Sequence, residues 1–154
     1  MKKILIALVL VCSLAVFSFA QSTLPPYASA PAPAALPDVV VNGFKAFMNG
    51  GYSAATSVWS LNSPLAQDAT TLSNINNTFL QESSVAGNFS GAEVIRVVNF
   101  SASGEEVYAM AKYQRGTLFV SFTCYKSADK WYVTVIDVDK DPGRILPTNV
   151  MGGL

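Results

Sequence analysis

Chemistry-bearing residues are few in this 154-residue chain, and histidine is missing altogether. Without histidine, a Ser-His-Asp triad, a histidine general base and a histidine metal ligand are all excluded. The densest group of carboxylates is Asp137, Asp139 and Asp141, at the end of the last predicted strand. A calcium loop starting at Asp137 would need glycine and glutamate where Pro142 and Thr148 stand. We therefore predict a solvated strand end there, with no metal and no cofactor.

A tyrosine paired with a carboxylate is the other arrangement that supports acid-base chemistry in this sequence. Such a site needs Tyr52 or Tyr113 to meet Glu93 or Asp68 in a cavity. Aromatic residues between helices and a sheet are more typical of a core than of a cavity, and both interpretations stay open. The predicted pocket candidates are Tyr52, Trp59, Phe79, Phe89, Glu93 and Tyr113.

The N-terminus has the three-part pattern of a secretory signal peptide. Two lysines at positions 2 and 3 precede an apolar run of roughly 16 residues, from Ile4 to Phe19, and Ser18 and Ala20 supply the small residues of a cleavage site. This run is shorter than the ~20 residues that cross a bilayer as a helix, and no second run follows. We predict cleavage after residue 20 and export to a periplasmic or extracellular location, with no membrane span afterwards.

Signal removal changes the charge balance and the cysteine count. The chain has 10 basic and 10 acidic residues, so the loss of two lysines leaves eight against ten. A weakly acidic chain does not attract nucleic acid or anionic membranes. Cys12 is lost with the signal, which leaves Cys124 as a single thiol that we expect to be buried.

The mature chain divides into three parts by composition. Residues 21–37 are rich in proline, alanine and serine and are predicted to form a flexible tether. Residues 38–141 are predicted to form one domain, and residues 142–154 a C-terminal tail. Nothing in these segments repeats, and the length suits a single core.

Apolar residues recur at three- and four-residue steps from Asp38 to about residue 84, which predicts short helices. Asp38 is the expected N-cap of the first helix, and Gly50-Gly51 its stop. A second helix is predicted over 52–59, and a third opens at Ser63-Pro64.

Beyond residue 87 the apolar period becomes two, and β-branched and aromatic residues dominate. Four antiparallel strands are predicted at about 91–100, 105–113, 118–125 and 131–138. A two-residue turn at Arg115-Gly116 pairs Tyr113 with Leu118 and places apolar side chains on one face. Val133 and Val135 are expected on that same face. The predicted class is α+β, with short N-terminal helices packed on a curved four-stranded antiparallel meander.

The opposite sheet face is predicted to be rich in aromatic and hydroxyl side chains. Its composition is typical of an interface core rather than of a purely solvated face. We therefore expect a homodimer through this face, with ordinary cross-strand pairing in a solvated face as the alternative. The interface candidates are Tyr108, Met110, Phe119, Thr123, Tyr125, Tyr132, Thr134 and Ile136.

The order of elements resembles the nuclear transport factor two-like superfamily, in particular its small exported members. Gly51-Tyr52 at the start of the second helix and Trp131 after the last hairpin turn carry this resemblance, which covers about residues 38–140. It implies a cone-like sheet around a pocket, and frequently a dimer through the outer sheet face. Enzymatic members place an aspartate and a histidine in the pocket. Because this chain has no histidine, no catalytic residue is carried over.

Three functions stay open at this point. The favoured one is an exported, non-enzymatic binding or interaction module that takes a small apolar ligand, because charges are scarce and no nucleophile motif is present. The second is a small-molecule isomerase or dehydratase that uses a pocket tyrosine and a carboxylate. The third is a tethered accessory domain of a cell-envelope assembly.

Overall fold

The computed structural model describes residues 36–151. The predicted signal peptide and most of the predicted tether, 21–37, lie outside these residues. The last two tether residues, Leu36 and Pro37, pack on the core and belong to the folded part. The elements are α1 (Asp38–Trp59), a 3-10 helix (Pro64–Gln67), α2 (Ala69–Ala86), β1 (Phe89–Ser101), β2 (Gly104–Tyr113), β3 (Thr117–Ser127), β4 (Lys130–Asp139), α3 (Pro142–Ile145) and α4 (Thr148–Met151).

Helices precede a single antiparallel sheet of four strands in the order β1-β2-β3-β4. This is the predicted α+β class, with an open curved sheet. The helices cover one face of the sheet, called the inner face below, and the other is the outer face. Between residues 36 and 151, no helix is both long and apolar enough to cross a membrane.

Helix α1 folds back on itself at Gly51. The backbone there has φ 77° and ψ −176°, a conformation that is essentially open only to glycine. In a straight helix, residues 19 positions apart would be about 28 Å from each other. The Trp59 indole N–H nevertheless donates to the Val40 carbonyl at 3.2 Å. The predicted stop at Gly50-Gly51 is confirmed, and α1 consists of two arms, 38–50 and 52–59.

The two arms touch where Gly43 faces Trp59. A Cβ atom at Gly43 would lie 1.8 Å from the indole nitrogen, so a larger residue cannot stand there without separating the arms. The predicted N-cap is wrong by one residue: Pro37 is the N-cap, and Asp38 lies in the first turn.

The third predicted helix is two elements. Asp68 ends the 3-10 helix and caps α2, because its carboxylate accepts from the backbone N–H of Thr71 at 2.9 Å and from the Thr71 hydroxyl at 2.7 Å. These hydrogen bonds hold the pKa of Asp68 below its ordinary value.

The inner face of β2 and β3 is the apolar face predicted from the sequence, although its register differs. Leu118 pairs with Ala111 and not with Tyr113. The reason is that the connection is longer than two residues: Gln114 and Arg115 donate to the carbonyls of Asn88 and Ala86 instead of closing a tight turn. A shift of two residues leaves every side chain on its original face, so the predicted inner face is confirmed.

A β-bulge on β4 overturns the prediction for the end of that strand. Thr123 pairs with Val135 while its neighbour Cys124 pairs with Val133, so Thr134 is an extra residue. One extra residue reverses the faces beyond it. Val135 is therefore 45% exposed, and Ile136 is 3% exposed within the core. The predicted inner position of Val135 and the predicted outer, interface position of Ile136 are both wrong.

The core is built from aromatic rings of α1, α2 and β3. Trp59, Phe79 and Phe122 are fully buried. The Trp59 ring lies 5.0 Å from Phe122 and 6.1 Å from Phe79, and Phe44 meets Trp59 edge-on at 5.2 Å. Such pairs contribute about 0.5–1.5 kcal/mol each beyond the area that they bury. This cluster fixes the helices against the inner face.

The inner face also buries a carboxyl group, that of Glu105, which is 1% exposed and pairs across the sheet with Cys124. Its Oε1 atom finds no hydrogen-bond partner within residues 36–151. Burial raises the pKa of Glu105 above its ordinary value. Burial, together with the carboxylates of Glu105 and Glu106, raises the pKa of Cys124 to about 12. The predicted buried thiol is confirmed.

We predict that Glu105 weakens the fold as the pH rises. A carboxyl whose pKa is raised by folding favours the folded state only while it is protonated. The cost of burying this ionisable group is absent below its unfolded-state pKa of about 4.5, where the carboxyl is protonated in both states. The cost grows as the pH rises above that value. The free energy of unfolding of Glu105→Gln, measured with urea, should therefore rise relative to that of the parent chain as the pH increases from 4 to 7. Glu106→Gln, on the outer face, is the control, and an equal response in both variants would contradict the assignment.

Candidate functional site

A cleft opens beside the fold-back of α1, where α2 ends and β1 begins. We call it the kink cleft; its volume is about 420 Å³, within the ~300–1,000 Å³ typical of ligand pockets. It is lined by Phe47, Met48, Asn49, Gly51, Tyr52, Ser83, Asn88 and Phe89. A Cβ atom at Gly51 would meet nothing within 4 Å, so the backbone at the fold-back faces open space.

The wall of the kink cleft is aromatic. The rings of Phe47 and Phe89 stack at 4.0 Å with an interplanar angle of 7°. Behind them, Phe79 meets Phe47 edge-on at 5.0 Å, and Tyr113 meets Phe89 at 5.9 Å. Phe47 is only 4% exposed, so the apolar surface at the cleft comes mainly from the half-buried Phe89, which Phe47 and the core hold in place.

Polar groups of the kink cleft come from its rim. Asn49 and Asn88 are exposed, and Tyr52 is half-buried. The Ser83 hydroxyl donates to the Phe79 carbonyl at 2.9 Å, which leaves its oxygen free to accept. A bound molecule would thus find an apolar wall together with amide and hydroxyl groups that can fix its orientation.

Tyr113 lies behind the cleft wall with its hydroxyl buried. Burial raises the pKa of Tyr113 to about 12; the Glu82 carboxylate adds to this, and the Ser83 hydroxyl opposes it. Although Ser83 acts on the phenol, the Tyr113 oxygen forms no hydrogen bond with any described residue. The hydroxyl is therefore buried without compensation.

Glu82 is a carboxylate that sequence reasoning missed. It is 4% exposed and forms an ion pair with the exposed Lys140, without the alignment of a hydrogen bond. The sequence does indicate its burial, because Glu82 lies on the same helix face as Ile75, Phe79 and Ala86, at three- and four-residue steps. A charged residue in such a stripe indicates a buried, paired group.

Only part of the predicted pocket is brought together. Tyr52 and Phe89 line the kink cleft, and Tyr113 lies behind it. Trp59 and Phe79 have no exposed surface, so they belong to the core, which was the alternative interpretation of these aromatic residues. The prediction for Glu93 is wrong: this residue is exposed on β1 and pairs with Lys112 at 3.4 Å.

The predicted tyrosine and carboxylate pair is therefore not assembled. Glu93 projects from the sheet, and Asp68 caps α2, so neither meets Tyr52 or Tyr113. The sequence alone could not decide whether Glu93 faces the helices or solvent, because β1 pairs with β2 through three register shifts. Each shift can change the face on which the following side chains lie.

The outer face holds the remaining interface candidates. Tyr125 is 52% exposed, whereas Tyr108 is only 7% exposed, and Met110, Phe119, Thr123, Tyr132 and Thr134 are half-buried. Burial, and then the Glu106 carboxylate, raises the pKa of Tyr108 to about 12, while Arg96 opposes this. Cross-strand neighbours thus cover part of this face already.

The carboxylates at the end of β4 are engaged locally. Asp139 accepts from the Arg144 guanidinium at 3.0 Å and from the backbone N–H of Asp141 at 2.9 Å, which lowers the pKa of Asp139. Asp141 in turn caps α3 by accepting from Gly143. Across residues 36–151, no group of three or more histidine, cysteine or acidic residues has a geometry that could hold a metal ion.

The fold and the kink cleft define an α+β domain with one apolar, amide-rimmed cavity beside a folded-back helix. No family model, no curated protein and no solved structure matches the chain.

We predict that Tyr113→Phe leaves the domain as stable as the parent or stabilises it by about 1 kcal/mol. Removing a buried hydroxyl that lacks a regular partner also removes its desolvation cost. Urea unfolding measures the change, and Tyr125→Phe, at an exposed site, is the matched control. A loss of more than about 1 kcal/mol in Tyr113→Phe would show that the hydroxyl is bonded in the native state.

Proposed function

We propose that this chain is an exported, non-enzymatic binding module whose kink cleft takes a small, largely apolar molecule. The observation that carries the proposal is an open cavity with apolar lining from the half-buried Phe89, stacked on the core residue Phe47, and from the exposed Met48. Export rests on the three-part signal pattern of residues 1–20.

The character of the ligand follows from the lining. The Phe89 ring and Met48 favour an aromatic or aliphatic body, since each offers apolar surface and no charge. Asn49, Asn88 and Ser83 favour one or two hydrogen-bonding groups at the end of the molecule that faces water. No acidic or basic side chain lines this cleft, so a neutral ligand is favoured over an ion.

Membership of the nuclear transport factor two-like superfamily is part of the same proposal. The order of helices before a four-stranded meander supports it, as do Gly51-Tyr52 at the fold-back and Trp131 after the last hairpin turn. The fold alone assigns no chemistry, so the proposed binding role depends on the cleft and not on this membership.

The test combines two measurements on the mature chain from Gln21. Native mass spectrometry after gentle release should reveal a copurified small molecule, and the apolar probe N-phenyl-1-naphthylamine should gain fluorescence on binding. Tyr52→Ala should weaken probe binding about tenfold, because it removes one side of the cleft. Tyr125→Ala, which removes a tyrosine from the outer face, should bind like the parent. Equal binding by the parent and Tyr52→Ala would refute the proposed site.

A second candidate role is self-association through the outer face. Tyr125 and Val135 leave about half of their surface exposed on this face, although the bulge also brings Asp137 onto it, two residues beyond Val135. Exposed apolar and aromatic side chains of this kind are typical of interfaces. The apolar contribution of Val135 was not expected from the sequence and arises from the bulge at Thr134.

We predict that the mature chain is a dimer at micromolar concentration and that Val135→Lys converts it to a monomer. An ammonium buried in an interface loses its hydration, which would cost several kcal/mol. Light scattering after size-exclusion chromatography measures the mass. Leu80→Lys, at an exposed apolar position of α2, is the control and should not change it. A monomeric parent chain would exclude this role without affecting the kink cleft.

A further inference from the structure

A second cleft lies at the open end of the α1 arms, opposite the fold-back. It runs between the first turn of α1, the turn after α1 and the β3-β4 hairpin, and its volume is about 340 Å³. We call it the tryptophan groove, because Trp131 lines it together with Tyr132, Asp38, Asn42, Asn62 and Asp129. None of these residues was assigned a ligand by sequence reasoning, and none lines the kink cleft.

The tryptophan groove has an aromatic surface that is fixed in position. Trp131 is half-buried and packs against the core from the inner face of β4. The Lys126 ammonium lies over its ring, 5.8 Å from the centroid, which restrains the indole from one direction. Tyr132, the next residue along the strand, also lines the groove, but its side chain belongs to the outer face, so the aromatic surface is that of Trp131.

The rim of the tryptophan groove is polar and uncommitted. Asp38, Asn42, Asn62 and Asp129 are all exposed. Within residues 36–151, none of their side chains, nor the Trp131 indole N–H, takes part in an intramolecular hydrogen bond of the structure. The groove therefore presents donors and acceptors that a ligand can use without breaking internal bonds.

The charges of the tryptophan groove exclude some ligand classes. The lining carries the carboxylates of Asp38 and Asp129 and the ammonium of Lys130, and the Lys126 ammonium lies over the Trp131 ring. These charges balance, so the groove lacks the excess of positive charge that would favour a phosphate or carboxylate ligand. A purely apolar ligand would leave the amides and carboxylates unpaired once water is displaced, which is costly.

We infer that the tryptophan groove binds a neutral saccharide. A pyranose ring has an apolar C–H face that can lie on an indole, and a rim of hydroxyl groups that each donate and accept. Carboxylates accept from such hydroxyls, amides do both, and an ammonium donates to them. Aromatic surface flanked by these three group types is the combination that one sugar unit requires. The inference does not depend on the proposed ligand of the kink cleft.

The experiment is an NMR titration of the mature chain with three probes: triacetylchitotriose, cellotriose and maltotriose. At least one of them should shift the Trp131 indole N–H signal and the side-chain amide signals of Asn42 and Asn62. The Trp59 indole N–H, bonded to the Val40 carbonyl inside the core, is an internal reference and should not move.

Variants then test the named groups. Trp131→Ala should weaken saccharide binding by about tenfold or more, and Asn42→Ala by several-fold, because one removes the aromatic surface and the other a hydrogen-bonding group. Asn77→Ala removes an exposed amide from α2 and is the matched control. Should Trp131→Ala perturb the fold, Asn42→Ala at its exposed position still provides the comparison. Tyr52→Ala should bind saccharide like the parent, which separates this groove from the kink cleft.

Three outcomes would overturn the inference. One is the absence of any shift at the Trp131 indole with all three saccharides at about 10 mM, a concentration that detects even weak binding. Another is equal binding by the parent and Asn42→Ala. The last is a response to choline chloride without a response to the saccharides, which would make the groove a cation site.

Discussion

The hydrogen bond from the Trp59 indole to the Val40 carbonyl is the interaction on which the helical layer depends. It joins the two arms of α1 at a point where Gly43 allows them to touch. Gly51 supplies the reversal that makes this contact possible. Because Trp59 also packs on Phe79 and Phe122, the same side chain ties the helix pair to α2 and to the sheet.

This arrangement explains why clefts form at both ends of α1. At the fold-back the chain turns without filling the space beside it, which leaves the kink cleft against α2 and β1. At the open end the first and last turns of α1 lie beside each other and meet the β3-β4 hairpin, which leaves the tryptophan groove. Two cavities of different chemistry are therefore consequences of one helix reversal.

Much of the fold was predictable because it depends on local sequence patterns. The helical period, the glycines at 50 and 51 and the change to period two each act over a few residues, and the structure confirms them. The wrong predictions have non-local causes. The bulge at Thr134 shows no sequence signature, since threonine suits a regular strand, yet it reverses Val135 and Ile136. Asp68 lies between the 3-10 helix and α2 and caps α2, whereas the apolar periodicity alone predicted one continuous helix from Ser63.

The candidate sites were less predictable than the fold. Of the predicted pocket candidates, Tyr52 and Phe89 line the kink cleft. Trp59 and Phe79 have the same residue types, and only the packing of the arms decides that they are core. The tryptophan groove escaped prediction because its rim comes from three segments that are distant in sequence. Asn42, Asn62 and Asp129 have no common pattern until the fold assembles them.

The two edge strands have a consequence for the behaviour of the chain at high concentration. An edge strand offers unpaired backbone groups to any other strand that meets it, which is how sheets extend into fibres. Here β1 is irregular at three places along its pairing with β2, and β4 contains the bulge at Thr134. Irregular edges cannot form a long, uninterrupted ladder with a neighbour. The same distortion that exposes Val135 thus protects the chain against polymerisation through its sheet edges.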